Sequence, residues 1–356
     1  MIKLRDVLID VLGKRQSKYS WRMFTGPVDL ATYDSVSLVF LDGKLGDAIV
    51  NSSVVTAIKS SFPNISVRIF TTNRTASYWE SWSLVDKVII VPSRTGPRSK
   101  FDLYKTATSN VRQKDLAVSF DALNPIDAFL FMHGLKPSLV IGYMKHEYRL
   151  FDISLLDYTC VPDKKPFWYR VVDLLKCLGL NHNYPSIARH SPIDAQLAEK
   201  FSNDFKLDKT KPVYFLNTYG AAVDRTMSTP IIKNVIAEIE RISPGSSIIV
   251  NLPTISSSEF SDVVTSGQVT FLGPLPDISS LFTLLSLADV VISPDTGVAH
   301  AAAALRKRQL TLFCDKNYNP FVWIPESTKQ EICISVTGKH VNDQDWQDVF
   351  KKLAKL

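Results

Sequence analysis

The sequence predicts an α/β fold built from two doubly wound halves. Three observations predict it: a strand, glycine loop and helix at residues 36–58, a second turn of the same kind at 290–305, and strand candidates alternating with helical stretches throughout. In the later turn the β-branched run Val290, Val291, Ile292 stops before Asp295, and a helix of small residues through His300 and Ala301 to Leu305 starts at once. Asp295 offers a carboxylate to sugar hydroxyls, while Thr296 and Gly297 place backbone N–H groups and the positive helix end where a phosphate can sit. An ordinary N-capped helix behind a buried strand has the same pattern, and that alternative stands beside the ligand turn.

The earlier turn is Asp42-Gly43-Lys44-Leu45-Gly46-Asp47, between the apolar run Val36 to Leu41 and a helix carrying Ile49, Val50, Val54, Val55 and Ile58 on one face. Gly43 and Gly46 permit close backbone approach, with Lys44 between them. The spacing is not G-x-G-x-x-G, which disfavours a nicotinamide or flavin cofactor and an oxidoreductase. Asp47 falls at the helix N-terminus, as a catalytic carboxylate or as a structural cap.

After the first turn, strands are expected at Ser66–Thr72, Lys87–Val91, Leu116–Phe120 and Ser138–Gly142. The second half repeats the plan with Val213–Leu216, Ile248–Leu252, Val269–Leu272, Val290–Ser293 and Leu310–Cys314. Between Leu180 and Pro192 the chain turns polar, which marks the linker. The expected divisions are an extension at 1–34, domains at 35–185 and 186–340, and a last helix at 341–356. A chain of 356 residues exceeds what one core usually supports, and 45% hydrophobic content is ample for two.

Composition narrows the classes. The four cysteines (Cys160, Cys177, Cys314, Cys333) are far apart and lack C-x-x-C spacing, and the six histidines lack any metal-ligand pattern, so no metal and no cofactor are expected. Reduced thiols and the lack of a spanning apolar run or signal segment point to the cytoplasm. The net charge of +6 points to an anionic partner. No nucleic-acid-binding signature accompanies it, which leaves a phosphorylated glycolipid or an acidic membrane surface. Ile2, Leu4, Val7, Leu8, Val11 and Leu12 make an apolar face ahead of a basic, aromatic stretch to Phe24. It reads as an interfacial helix in peripheral contact with a membrane, or as a helix docked on the protein's own core.

The turn Lys44-Leu45-Gly46-Asp47 with Phe62-Pro63, together with Asp295-Thr296-Gly297 through His300 to Leu305, resembles the heptosyltransferase-like glycosyltransferases of family 9. Weaker echoes lie at Phe167 to Gly179, Gly273 to Asp289 and Phe321 to Pro325. The resemblance implies a GT-B fold, two Rossmann-like domains facing a central cleft, with acceptor binding in the first, nucleotide-sugar binding in the second, and a last helix that packs back on the first. It implies an inverting, metal-independent transfer of heptose from ADP-heptose to a lipopolysaccharide core acceptor on the cytoplasmic face of the inner membrane. Asp47 would be the base; Thr218, Arg225, Asp295, Thr296, Gly297 and His300 would bind the donor. Arg225 and Met227-Ser228 stand where the family usually has lysine followed by Trp-Pro, and Arg306-Lys307-Arg308 replaces a Gly-Pro turn. A surface ion pair of Arg225 with Asp224 or Glu238 is the plain alternative. Ile278, Leu281, Phe282 and Leu285 read as a wall for the base or as ordinary core. A UDP-sugar donor and a non-catalytic nucleotide- or glycan-binding module are the competing functions.

Overall fold

The structure, a computed structural model, describes residues 27–92, 97–120, 125–145, 150–156, 164–183, 187–208, 210–254, 257–263, 265, 267–314, 322–326 and 330–356. The expected N-terminal amphipathic stretch, Cys160 and Phe321 lie outside the described residues. The chain forms two compact units, Met1–Arg189 and His190–Leu356, and the division falls within the polar stretch between Leu180 and Pro192.

In chain order the first unit runs β1 (Ser35–Phe40), α1 (Leu45–Ser61), β2 (Ser66–Thr71), α2 (Asn73–Glu80), β3 (Lys87–Ile90), α3 (Pro97–Thr108), β4 (Asp115–Ser119), α4 (Pro125–Leu135), β5 (Leu139–Tyr143), β6 (Ile153–Leu155) and α5 (Tyr169–Cys177). The second runs α6 (Ala195–Asp204), β7 (Val213–Asn217), α7 (Thr229–Ile242), β8 (Ser247–Asn251), β9 (Val269–Leu272), α8 (Ile278–Leu287), β10 (Val290–Pro294), α9 (Gly297–Ala304), β11 (Arg308–Phe313), β12 (Gln330–Ile334) and α10 (Trp346–Leu353).

Each unit holds one six-stranded sheet, ordered β3-β2-β1-β4-β5-β6 in the first and β12-β11-β10-β7-β8-β9 in the second. Every pairing is parallel. Counted within each unit, the two orders are the same, 3-2-1-4-5-6, and the order reverses between β1 and β4 and between β7 and β10. The central strands β1, β4, β5, β7, β8 and β10 are buried along their whole length, as strands covered on both faces must be. The unexpected strands β6 and β12 are outer strands, short or half-exposed, and so lack a continuous apolar run.

One device recurs at the amino edges. Asp86 donates its N–H to Val67 O and accepts the Val67 N–H on Oδ2 at 2.7 Å. Asp152 does the same to Val140 at 2.8 Å, and Asp289 to Val213 at 2.8 Å. A carboxylate just before one strand thus closes the first or second amide of its neighbour and fixes the register there.

Also at the amino edge of the first sheet, Arg68 Nη2 lies 2.7 Å from Asp115 Oδ2, with both side chains almost wholly buried. Asp115 also accepts from Ser35 Oγ at 2.6 Å and from Ser37 Oγ at 2.9 Å, while Arg68 Nη1 donates to Asn110 O at 2.7 Å. Burial pushes the Asp115 carboxyl up and the Arg68 guanidinium down, each opposed by the partner's charge.

The last helix packs within its own unit. Val349 and Leu353 of α10 enter the second unit's own core, with Trp346 and Phe350 packed against it, and Lys352 Nζ donates to Ile332 O in β12 at 2.8 Å. This apolar face is taken up by the second unit's own core. Leu281, Phe282 and Leu285 of α8 are buried side chains and serve as core. Arg306-Lys307-Arg308 follows α9 and opens β11 at the amino edge, where Lys307 Nζ donates to Ser286 O at 2.7 Å. The triplet therefore sits at the opposite edge of the sheet from the Asp295 turn.

Asp115→Leu alone is expected to lower stability by about 3–5 kcal/mol, because it strands the buried Arg68 charge. The double variant Arg68→Met, Asp115→Leu should recover most of that loss, as urea unfolding midpoints will show.

Candidate functional site

In the second unit the site forms where β7 and β10 part, the position at which doubly wound sheets leave a crevice. β10 ends at Pro294, and Asp295 donates its N–H to Leu312 O at 3.0 Å before the chain turns. Thr296 caps α9, its Oγ1 accepting the Val298 N–H at 3.2 Å. Behind the cap, Ala299, His300 and Ala301 to Ala303 are buried, so the small side chains let the helix press onto its sheet. Gly297 is the first helical residue, and His300, only 7% exposed, lies within the helix.

Arg225 comes to this turn from the loop after β7. It closes a short 3₁₀ turn, Val223–Arg225, and its Nη1 donates to Asp295 O at 2.7 Å while standing 3.6 Å from Asp295 Oδ2. The plain alternative for Arg225 loses its partners: Glu238 takes Arg241 at 2.7 Å, and Asp224 Oδ2 accepts from Cys314 Sγ at 3.4 Å. Burial pushes the Asp295 carboxyl up to about 6, with the Arg225 charge working the other way. Gly220 makes the approach possible, since a Cβ there would stand 2.9 Å from both Arg225 Cβ and Thr296 Cγ2.

Thr218 requires a correction. Its N–H and its hydroxyl both donate to Asn251 O, at 3.1 and 2.8 Å, and it is wholly buried. The hydroxyl hydrogen is committed, so Thr218 ties the loop to β8 and does not offer a donor to phosphate. Asn217, Asn251, Ser293 and Gly220 belong to the site and were not singled out from sequence. Their signal was the run of polar residues at the ends of apolar strands.

In the first unit the corresponding loop follows β1. Gly43 has φ +60°, and a Cβ there would stand 1.9 Å from Thr72 Oγ1, so only glycine fits. Lys44 is exposed, flanks α1 without a side-chain cap bond, and lies 3.4 Å from Asp42 Oδ2. Gly46 is the second helical residue. Asp47 is the third, half-buried in the first turn where the helix dipole favours a carboxylate. Its backbone carbonyl accepts Asn51 Nδ2 at 2.7 Å. Beside the loop opens a cavity of about 640 Å³ lined by Asp42, Thr72, Asn73, Arg74, Ile90 and Asp102 among others. The two groups of site residues thus lie each at the carboxyl edge of its own sheet. Among the described residues no three His, Cys, Asp or Glu side chains group closely enough to hold a metal ion, and no helix is long and apolar enough to cross a membrane.

Comparison with known proteins bears on this arrangement. Residues 257–354 match glycosyltransferase family 9 (heptosyltransferase). A search of curated proteins finds no match. Among solved structures, a family 9 glycosyl transferase from Veillonella parvula superposes with a TM-score of 0.74 at 13% identity, covering 92% of this chain and 97% of its own. The E. coli heptosyltransferase WaaC with ADP gives 0.65 at 15% identity over 90% of this chain and 99% of its own. The E. coli ADP-heptose lps heptosyltransferase II gives 0.63 at 12% identity over 90% and 98%. The solved structures bear out the GT-B fold, and the family match, which spans α8, the Asp295 turn and α10, bears out the family 9, heptosyltransferase-like resemblance and supports a glycosyltransferase.

The raised Asp295 carboxyl sets a pH dependence. Its folded value, about 6, lies above the ordinary 3.8, so the protein binds this proton more tightly when folded. That contribution to stability is complete below about pH 4 and lost as pH rises through 6. Asp295→Asn should therefore gain stability relative to the unmutated chain between pH 4 and 7, by on the order of 2 kcal/mol, in unfolding titrations run across that window.

Proposed function

We propose that this glycosyltransferase moves a heptose from ADP-heptose to an anionic glycolipid of the lipopolysaccharide core type, inverting the anomeric centre and using no metal. The observation that carries the reading is the meeting of Arg225, the Asp295 turn and the first turn of α9 at the point where β7 and β10 part. A cation and a helix N-terminus brought together there suit a diphosphate, and an adjacent carboxylate suits sugar hydroxyls. ADP over UDP, and heptose over other sugars, rest on the E. coli heptosyltransferases whose fold the chain shares. Acceptor binding is assigned to the first unit, where the cavity beside the β1 loop combines Arg74 with Asp42 and Asp102.

Chemically, Asp47 takes the proton of an acceptor hydroxyl as that oxygen attacks the anomeric carbon from the face opposite the diphosphate. The bond from the anomeric carbon to the diphosphate oxygen breaks. The released diphosphate carries the electron pair, and its charge is held by Arg225 and the N–H groups that open α9. Asp295, largely ionised at pH 7, orients the donor's hydroxyls. We place the reaction in the cytoplasm, with peripheral contact to the inner membrane through the stretch up to Phe24.

A thermal-shift panel of ADP-heptose, UDP-sugars, ADP and UDP tests the donor; a raised midpoint with the UDP series alone would replace ADP-heptose by a UDP-sugar. Asp47→Asn is expected to slow transfer roughly 100-fold or more with donor affinity nearly unchanged. Hydrolysis-free donor binding without transfer to any acceptor would leave only a binding module. Arg225→Ala should weaken nucleoside diphosphate and intact donor together by about 1.5–3 kcal/mol in calorimetric titration, whereas Asp295→Ala should spare the nucleoside diphosphate and weaken the intact donor.

A further inference from the structure

Across the centre of the second sheet runs a row of polar side chains that an apolar sheet does not need. Thr311 of β11 pairs in register with Ser293 of β10, and Asn217 of β7 with Asn251 of β8. Because Ile292 pairs with Leu216, Ser293 and Asn217 are the next neighbours along, and the four residues stand side by side on one face. All four are at most 3% exposed. The residues just before them, Leu216, Val250, Ile292 and Leu310, are all apolar.

Three of the four are linked by hydrogen bonds. Asn251 Nδ2 donates to Asn217 Oδ1 at 3.2 Å, and Asn217 Nδ2 to Ser293 Oγ at 3.1 Å. Ser293 Oγ donates to Pro294 O at 2.8 Å and lies 3.2 Å from Thr296 Oγ1, which accepts the Val298 N–H that opens α9. Asn217 Nδ2 also donates to Tyr219 O at 2.9 Å, in the loop that carries Arg225. At the two ends the chain of bonds stops. Asn251 Oδ1 and Thr311 Oγ1 are buried and find no hydrogen-bond partner. A buried polar group left unpaired is destabilising, so stability alone favours an apolar row here.

We propose that Asn251, Asn217 and Ser293 are positioning residues that set the Thr296 cap and the loop leading to Arg225, and so hold the first turn of α9 in the geometry that receives the nucleoside diphosphate. The last step, to the ligand, rests on the donor site argued above. The row acts through Thr296 and Tyr219 and does not itself touch the donor. It trades a stability an apolar sheet would have for a fixed relation between two loops that meet only at this edge.

The test uses the full chain and two readouts, hydrogen exchange of the Val298 amide in the free protein and calorimetric titration with ADP and with UDP. Ser293→Ala breaks the row at its centre while Asn217 Nδ2 keeps Tyr219 O. It is expected to speed Val298 exchange and weaken nucleoside diphosphate binding about tenfold, with the melting midpoint nearly unchanged. Asn217→Leu, Asn251→Leu and Ser293→Ala combined make the row apolar without stranding a member, and should melt no lower than the unmutated chain while showing the same two defects. Thr311→Val, at the unbonded end, should change neither readout. Unchanged exchange and affinity in the first two variants overturn the proposal, as does an equal loss in Thr311→Val, which would make the effect one of packing. If the unmutated chain binds neither ADP nor UDP, the donor reading falls, and Val298 exchange alone still decides whether the row positions the turn.

Discussion

Because every strand pair in both sheets is parallel, the chain must cross back after each strand, and the loops that leave the carboxyl ends gather on one edge. Where the strand order reverses, neighbouring crossovers go to opposite faces and leave a gap between the loops. The loop after β1 with Gly43 and Asp47, and the paired loops after β7 and β10 with Arg225 and Asp295, are the outcome of this one constraint in two copies. Glycine then decides how tightly the gap is lined. Gly43 lets the backbone pass under Thr72, and Gly220 lets Arg225 close on Thr296. Neither contact survives an added Cβ.

Electrostatics differ between the two loop clusters. In the second unit a carboxyl and a guanidinium share a site buried enough to hold the Asp295 proton up to about 6, so the turn's charge is sensitive to its surroundings near neutrality. In the first unit Asp47 is half-buried on the opening turn of α1, where the positive helix end favours a carboxylate.

Apolar runs and the switch from twofold to helical periodicity made the fold legible. The expected strands coincide with those of the structure to within about two residues, and what was lost at the boundaries is telling. Reading β4 from Leu116 left out Asp115, because a carboxylate at a strand start looks like a turn residue until Arg68, far away in sequence, is seen to neutralise it. Ending β7 at Leu216 left out Asn217 for the same reason. The site was legible as two turns, Asp42 to Asp47 and Asp295 to Gly297, since each is local in sequence. Arg225 was found through a family pattern and not through its contact with Asp295. Gly220 and the polar row could not be read, because their meaning lies in register between strands that the sequence separates by tens of residues. Thr218 was misread because a hydroxyl in a loop after a strand gives no sign of the carbonyl it will bond.

The three aspartates that close an amide at the start of a neighbouring strand, Asp86, Asp152 and Asp289, all act at amino ends, as do the Arg68–Asp115 pair and the basic triplet at 306–308. These fastenings thus lie on the rim opposite the loops of the candidate site. A library aimed at altered sugar or nucleotide selectivity can therefore vary the side chains at 42–46, 219–226 and 295–297, with Gly43 and Gly220 kept, and leave Asp86, Asp152, Asp289 and the Arg68–Asp115 pair untouched. The same diversity spent on the other rim would mostly yield chains whose strands have lost their alignment.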